Sequence, residues 1–169
     1  MAKLTHIAVI PSPGFSHLVP IVEFAKRLVT YHSNFHITCI ISSLGSQPDS
    51  SKAYLQTIPQ NINSIFLPPI NKQDLPQGVY PAISIQQTLT LSLPSIHQAL
   101  KSLSSKAPLV AIIADIFALE TLDFAKEFNS LFYLYFPSSA FVLSLVLLMP
   151  KLDEEFSCQY KDLQEPIKL

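Results

Sequence analysis

Short, almost uninterrupted apolar runs alternate along this chain with longer stretches in which polar residues return every three or four positions. The first run, Thr5 to Ile10 (THIAVI), reads as a buried strand. A strand covered on both faces cannot alternate apolar with polar, so a continuous run is its signature. From about Leu18 to His32, Glu23, Lys26, Arg27 and Thr30 form one polar stripe on an otherwise apolar stretch, the spacing of a helix. Phe35 to Ser42 (FHITCIIS) is rich in β-branched residues and reads as a second buried strand. Strand, helix and strand in succession make a βαβ unit with a right-handed crossover.

Residues 43–82 are mostly irregular, with turn-rich loops on either side of a short strand in INSIFLPP. Ile83 to Leu103 then carries Leu89, Leu93, Ile96, Leu100 and Leu103 at helical spacing, with Pro94 expected to kink or restart the helix. Pro108 to Asp115 (PLVAIIAD) is a third apolar strand that ends in a carboxylate. Phe117 to Phe128 reads as a helix with Glu120, Asp123 and Glu127 outward and Leu119, Leu122 and Ala125 inward. Residues 128–150 carry no charge and are long enough to span a bilayer. The break at PSSA, where Ser138 or Ser139 can cap a helix, instead divides them into a strand, LFYLYF, and a buried helix, FVLSLVLLM. The fold class is therefore α/β, a mostly parallel sheet flanked by helices on both faces.

Composition narrows the function. Of 169 residues, 49% are hydrophobic and 14% are charged, against about 25% charged in an ordinary soluble domain. A net charge of −1 argues against a nucleic-acid binder, which would show a basic patch. The apolar run near the N-terminus is too short for a signal peptide despite Lys3, and Pro11 and Pro13 follow it at once. No membrane span is expected, and the expected location is the cytoplasm. Cys39 and Cys158 are too few and too far apart to suggest disulfide stapling. His6, His32, His36 and His97 have no metal-ligand spacing, so no metal is expected. A nicotinamide-type site is disfavoured too. The first strand-to-helix loop holds a single glycine, and Asp49 lies in a polar loop rather than at the end of the second strand.

In an open parallel sheet, ligands bind beyond the carboxyl ends of the strands. Three segments meet at that edge: PSPGFSH after the first strand, ADIF at the end of the third apolar strand, and PSSA after LFYLYF. His17 can accept and return a proton near neutral pH, and a buried carboxylate can hold its tautomer. Parallel strands bring Asp115 to the same edge, so His17 with Asp115 is a candidate general-base dyad. Capping and packing are the ordinary alternatives for both. No G-x-S-x-G elbow competes for the histidine, and Cys39 lies inside a strand. Gly14 would allow a sharp turn or close approach to a ligand. Phe15, Phe117 and Leu119 could wall an apolar pocket, although burial in the core suits Phe117 as well and Leu119 better. Ser138 and Ser139 could offer hydrogen bonds to a phosphate or sugar, or simply cap the helix.

HIAVIPSPGFSHLVPIVEFAKRLV, INSIFLPPI, ADIFALETLDFAKEFN and YLYFPSSAFVLSLVLLMPKLDEEFSCQYKDLQEPIKL together resemble the N-terminal half of plant UDP-glycosyltransferases, nearest the hydroquinone and monolignol glucosyltransferases. The pattern P-x-P-G-x-x-H-x-x-P followed by D-x-F is specific, and its continuation into PKLDE is more so. The resemblance implies the Rossmann-like N-terminal domain of a GT-B enzyme, with residues 1–169 as its acceptor-binding domain, incomplete at the C-terminal end. The C-terminal domain that binds the UDP-sugar would be missing from this stretch and would be its intramolecular partner. His17 would deprotonate a hydroxyl of a small phenolic acceptor, oriented by Asp115. The oxygen would displace UDP from UDP-glucose, the co-substrate, with inversion and without a metal. Ser138 or Ser139 would contact the donor sugar, and Gly14, Phe15, Phe117 and Leu119 would face the acceptor.

The sequence departs from the family in two places: Ala118 stands where relatives often have glycine, and Leu91 where they often have arginine. Both bear on the acceptor pocket or on local packing, and neither touches the dyad. The fragment alone is expected to be inactive, and a truncated, non-catalytic acceptor-binding or interaction module is the alternative reading.

Overall fold

The computed structural model describes residues 5–155; Lys3 and Cys158 lie outside the described residues. Five parallel strands form one sheet among them: β1 (Thr5–Ile10), β2 (Phe35–Ile41), β3 (Ile62–Phe66), β4 (Leu109–Asp115) and β5 (Leu131–Tyr135). Their order in the sheet is β3-β2-β1-β4-β5. The chain builds outward from β1 to β3, then crosses back and places β4 on the other side of β1. Its helices are α1 (Phe15–Tyr31), α2 (Asp49–Leu55), α3 (Pro81–Ser104), α4 (Leu122–Glu127) and α5 (Ala140–Glu155).

The continuous apolar runs are explained by two cores, one on each face of the sheet. Ile7 and Val9 of β1, Ile37 and Cys39 of β2, and Ala111 and Ile113 of β4 pack with Ile21, Val22 and Ala25 of α1. The alternate residues Ala8, Ile10, Ile40, Ile112 and Ala114 pack with Ile96 and Leu100 of α3 and Ala125 of α4. Most side chains of the central strands therefore leave water, Val110 being the exposed exception, and burial is favoured by about 25 cal/mol per Å² of apolar surface.

Several expectations need correction. The first helix begins at Phe15, three residues earlier than its apolar pattern indicates, because Gly14 turns the chain directly into it. The segment between β2 and α3 is not wholly irregular. Asp49–Leu55 forms α2, a short helix that buries only Ser51 and Leu55 and so carries little hydrophobic periodicity. α3 continues as one element across Pro94 without restarting. Packing of Leu89, Ile96 and Leu100 on both sides of the proline holds the two halves in line.

The expected helix from Phe117 begins instead as a 3-10 turn, Ile116–Thr121, followed by α4. Ala118 leaves helical geometry at φ −96° and ψ 22°, which shifts the phase of the segment. The residues turned inward are Ala118, Thr121 and Ala125, whereas Leu119 and Leu122, expected inside, are exposed.

The described chain divides into two compact units, with residues up to Tyr135 in the first and the rest in the second. The second contains α5, which runs through Pro150 rather than stopping there. α5 was expected to be buried, yet Phe141, Leu143, Val146, Leu147 and Met149 are exposed, and only Leu152 of this helix is buried. No helix among the described residues is long and apolar enough to cross a membrane.

Candidate active site

The sheet order creates the site. β1 and β4 are neighbours, with Ile10 opposite Ala114, so the segments that follow them leave the sheet side by side. This is the switch point of the parallel sheet, where successive crossovers diverge and leave a crevice. From β1 the chain passes through Pro11, Ser12 and Pro13 to Gly14, whose φ of 119° lies where a side chain is strained. The Gly14 carbonyl accepts the N–H groups of His17 (3.2 Å) and Leu18 (3.0 Å), which starts α1 and sets His17 on its first turn.

From β4 comes Asp115, which is completely buried. Its carboxylate caps the following 3-10 turn, with Oδ1 accepting the N–H of Phe117 at 3.4 Å. The same oxygen accepts the hydroxyl of Ser12, itself 2% exposed. The other oxygen, Oδ2, lies 3.1 Å from Nδ1 of His17. The His17 side chain is 20% exposed, so the imidazole bridges a dry interior and the surface. The Phe117 ring stands edge-on to it, 5.6 Å between centroids and 75° between planes.

This arrangement gives each imidazole nitrogen a different job. An ionised carboxylate only accepts hydrogen bonds, so a bond from Nδ1 to Oδ2 requires the hydrogen on Nδ1. Nε2 then keeps its lone pair and can take a proton from an external hydroxyl. The resulting imidazolium would sit beside a buried negative charge that never needs to accept the proton itself. The geometry is that of a general base with an orienting carboxylate.

A cavity of about 260 Å³ opens at Ser12 and Gly14, lined also by Leu18, Ser42, Ser43 and Ile85 among others, with neither His17 nor Asp115 in its wall. The Ser42 hydroxyl on its wall is buried without a hydrogen-bond partner. Of the residues singled out by sequence, His17, Asp115 and Phe117 come together, and Gly14 lines the cavity. Phe15 is 44% exposed and packs edge-on against Tyr54 at 5.9 Å. Tyr54 in turn donates to Glu23 at 2.7 Å, and burial together with this bond raises the phenol above its ordinary range. Leu119 does not line the cavity; it is exposed because Ala118 breaks the helical phase. Ser138 and Ser139 belong to the second unit. There Ser139 caps α5, its hydroxyl accepting the Val142 N–H at 3.3 Å.

Among the departures noted in sequence, Ala118 is buried in the core on the α3 side, and Leu91 is exposed on α3. Among the described residues, no three His, Cys, Asp or Glu side chains gather as a metal site would need. Sequence reasoning missed Ser12. The only signal was its place between two prolines directly after a buried strand, which by itself reads as a turn.

No family model matches the chain. It is 41% identical over its whole length to a hydroquinone glucosyltransferase of Rauvolfia serpentina, covering 36% of that protein. An anthocyanidin 3-O-glucosyltransferase of Manihot esculenta is 34% identical over 97% of the chain, again with 34% of the relative covered. The fold superposes on a structure of Phytolacca americana UGT2 complexed with UDP-2fluoro-glucose and pterostilbene at a TM-score of 0.93, with 37% identity, 98% of this chain and 38% of that one. A Polygonum tinctorium UDP-glucosyltransferase capable of glucosylating indoxyl, in complex with 3,4-dichloroaniline, gives 0.92 and 32% identity, with 99% of this chain and 37% of that one covered. The chain thus spans about a third of the length of the curated relatives it matches.

Proposed function

We propose that this chain, which aligns over its whole length with plant UDP-glycosyltransferases, is the acceptor-binding part of an inverting UDP-glucosyltransferase acting on small phenols. The observation that carries the reading is the 3.1 Å contact between Nδ1 of His17 and the wholly buried carboxylate of Asp115 at the sheet's switch point. Asp115 holds the hydrogen on Nδ1, and Nε2 removes the proton of the acceptor hydroxyl. The oxygen attacks the anomeric carbon of UDP-glucose, the bond to UDP breaks, and α configuration becomes β. Asp115 balances the imidazolium charge until the proton is released.

The apolar cavity walls, with Leu18, Ile41 and Ile85, suit an aromatic ring, and Gly14 allows it to approach the backbone. Phe117 holds the imidazole from one side. Phe15 and Leu119, both exposed, would belong to the outer rim of an acceptor site, and Ser138 or Ser139 would contact the donor sugar. The partner domain that binds UDP-glucose would come from the remaining two thirds of the relatives' length, and no metal is needed for the proton transfer described. A cytoplasmic location belongs to the same proposal.

Joining this chain to the donor-binding remainder of the Rauvolfia serpentina relative provides the test. Such a chimera should glucosylate a phenol with UDP-glucose, and His17→Ala should reduce turnover by about 10²–10⁴-fold, the usual span of general-base catalysis. Turnover by the alanine variant within about threefold of the parent would sink the mechanism. The acceptor should be a weakly acidic phenol, because a strongly acidic one needs little help losing its proton.

A further inference from the structure

We propose that Ser12 is a positioning residue that sets the tautomer of His17 by locking the rotation of the Asp115 carboxylate. The inference rests on the general-base reading of His17 and concerns how that base is kept in its working form. Ser12 lies between Pro11 and Pro13 in the segment leaving β1. Proline fixes its own φ and confines the residue before it to extended geometry, so the backbone that aims this hydroxyl has little freedom.

The hydroxyl is buried and is spent on Asp115 Oδ1. The other donor to that oxygen is the Phe117 N–H, at a long 3.4 Å. Two donors hold Oδ1, one on the segment after β1 and one on the turn after β4, and together they resist rotation about Cβ–Cγ and leave Oδ2 facing Nδ1 of His17. Without the serine donor, Oδ1 would keep only the long backbone bond, and the His17 contact at Oδ2 would lose its main counterweight. The neighbouring cavity, which Ser12 also lines, would admit water to the freed oxygen. Nδ1–H would then lose its aligned acceptor, and the imidazole would populate the Nε2–H form, whose lone pair lies on Nδ1 rather than on the nitrogen that should receive the hydroxyl's proton.

The readout is the ¹⁵N spectrum of His17 in the 169-residue chain at neutral pH, which distinguishes the two tautomers. In the parent, Nδ1 should carry the hydrogen. Ser12→Ala should lower the ratio of Nδ1–H to Nε2–H by about tenfold, the equivalent of one hydrogen bond to an ionised group. Ser12→Thr, which keeps the hydroxyl, should restore it. Should the alanine variant fail to fold, Ser12→Cys keeps the volume with only a weak donor and is expected to shift the ratio in the same direction. An unchanged ratio in a folded alanine or cysteine variant overturns the proposal, as does a threonine variant that behaves like alanine. Because this reads a tautomer rather than sugar transfer, its failure is separable from failure of the catalytic reading, which would appear as undiminished transfer by His17→Ala.

Discussion

Asp115→Asn separates the charge of the central carboxylate from its shape. Asparagine fits the same buried volume, and its carbonyl oxygen can still accept the Ser12 hydroxyl and the Phe117 N–H. Its NH₂ would then face Nδ1 of His17, where Oδ2 now lies at 3.1 Å. An NH₂ donates, so Nδ1 must become the acceptor, and the hydrogen moves to Nε2. The nitrogen that should take the acceptor's proton is thereby blocked. Two strong hydrogen bonds lose their ionic character, the Ser12–Asp115 and His17–Asp115 pairs. A charged bond contributes about 1.5–3 kcal/mol and a neutral one about 0.5–1.5, so the stability loss comes to about 1–3 kcal/mol. With a urea dependence of about 2 kcal/mol per molar, the unfolding midpoint should fall by about 0.5–1.5 M while the slope stays constant. Activity of the chimera should fall much further, by about 10⁴-fold, as tautomer inversion does in a serine-protease triad. The measurements are urea unfolding followed by circular dichroism and initial rates of phenol glucosylation under conditions where both proteins are folded. Activity within about tenfold of the parent would refute the tautomer argument. A stability loss above about 4 kcal/mol would show that asparagine disrupts the site rather than re-protonating it.

Two further outcomes follow from other parts of the structure. Gly14→Ala should destabilise the chain by about 1–3 kcal/mol even though the added Cβ meets nothing closer than 3.9 Å, because φ of 119° is a glycine conformation; an unchanged urea midpoint would contradict this. His6 on β1 bonds to the Thr38 hydroxyl at 2.9 Å, and burial, then the nearby His36, lower its proton affinity from the ordinary value of 6.5. Below about pH 6.5 the unfolded chain therefore binds a proton that the folded chain resists, so stability falls with pH until the native value is also crossed. His6→Gln should flatten the drop in urea midpoint between pH 7.5 and 5.5, and an equal drop in both proteins would rule out His6 as its source.

Local pattern was enough for much of this molecule because a parallel sheet buried on both faces leaves few polar residues in the middle of its central strands. Ile7 to Ile10, Ile37 to Ile41 and Ile112 to Ala114 therefore stand out without any knowledge of their neighbours. His17 and Asp115 were legible for a related reason, since Asp115 ends such a strand and His17 lies on the first turn of the helix after one. α2 was not, because a seven-residue helix that buries two side chains has almost no apolar period. Nor was the orientation of Leu119 and Leu122, which turned on the backbone break at Ala118 rather than on hydrophobicity.

By itself, the sequence determined the alternation of strands and helices and the two residue types that could carry proton transfer. Tertiary structure decided which strands are neighbours, and that in turn decided the chemistry. Only because β4 lies against β1 does the Asp115 carboxylate meet His17 on one side and Ser12 on the other. Hydrogen bonds act over about 3 Å, whereas the residues that make this cluster come from segments about one hundred positions apart. Their meeting is a property of sheet order, and no local pattern encodes it.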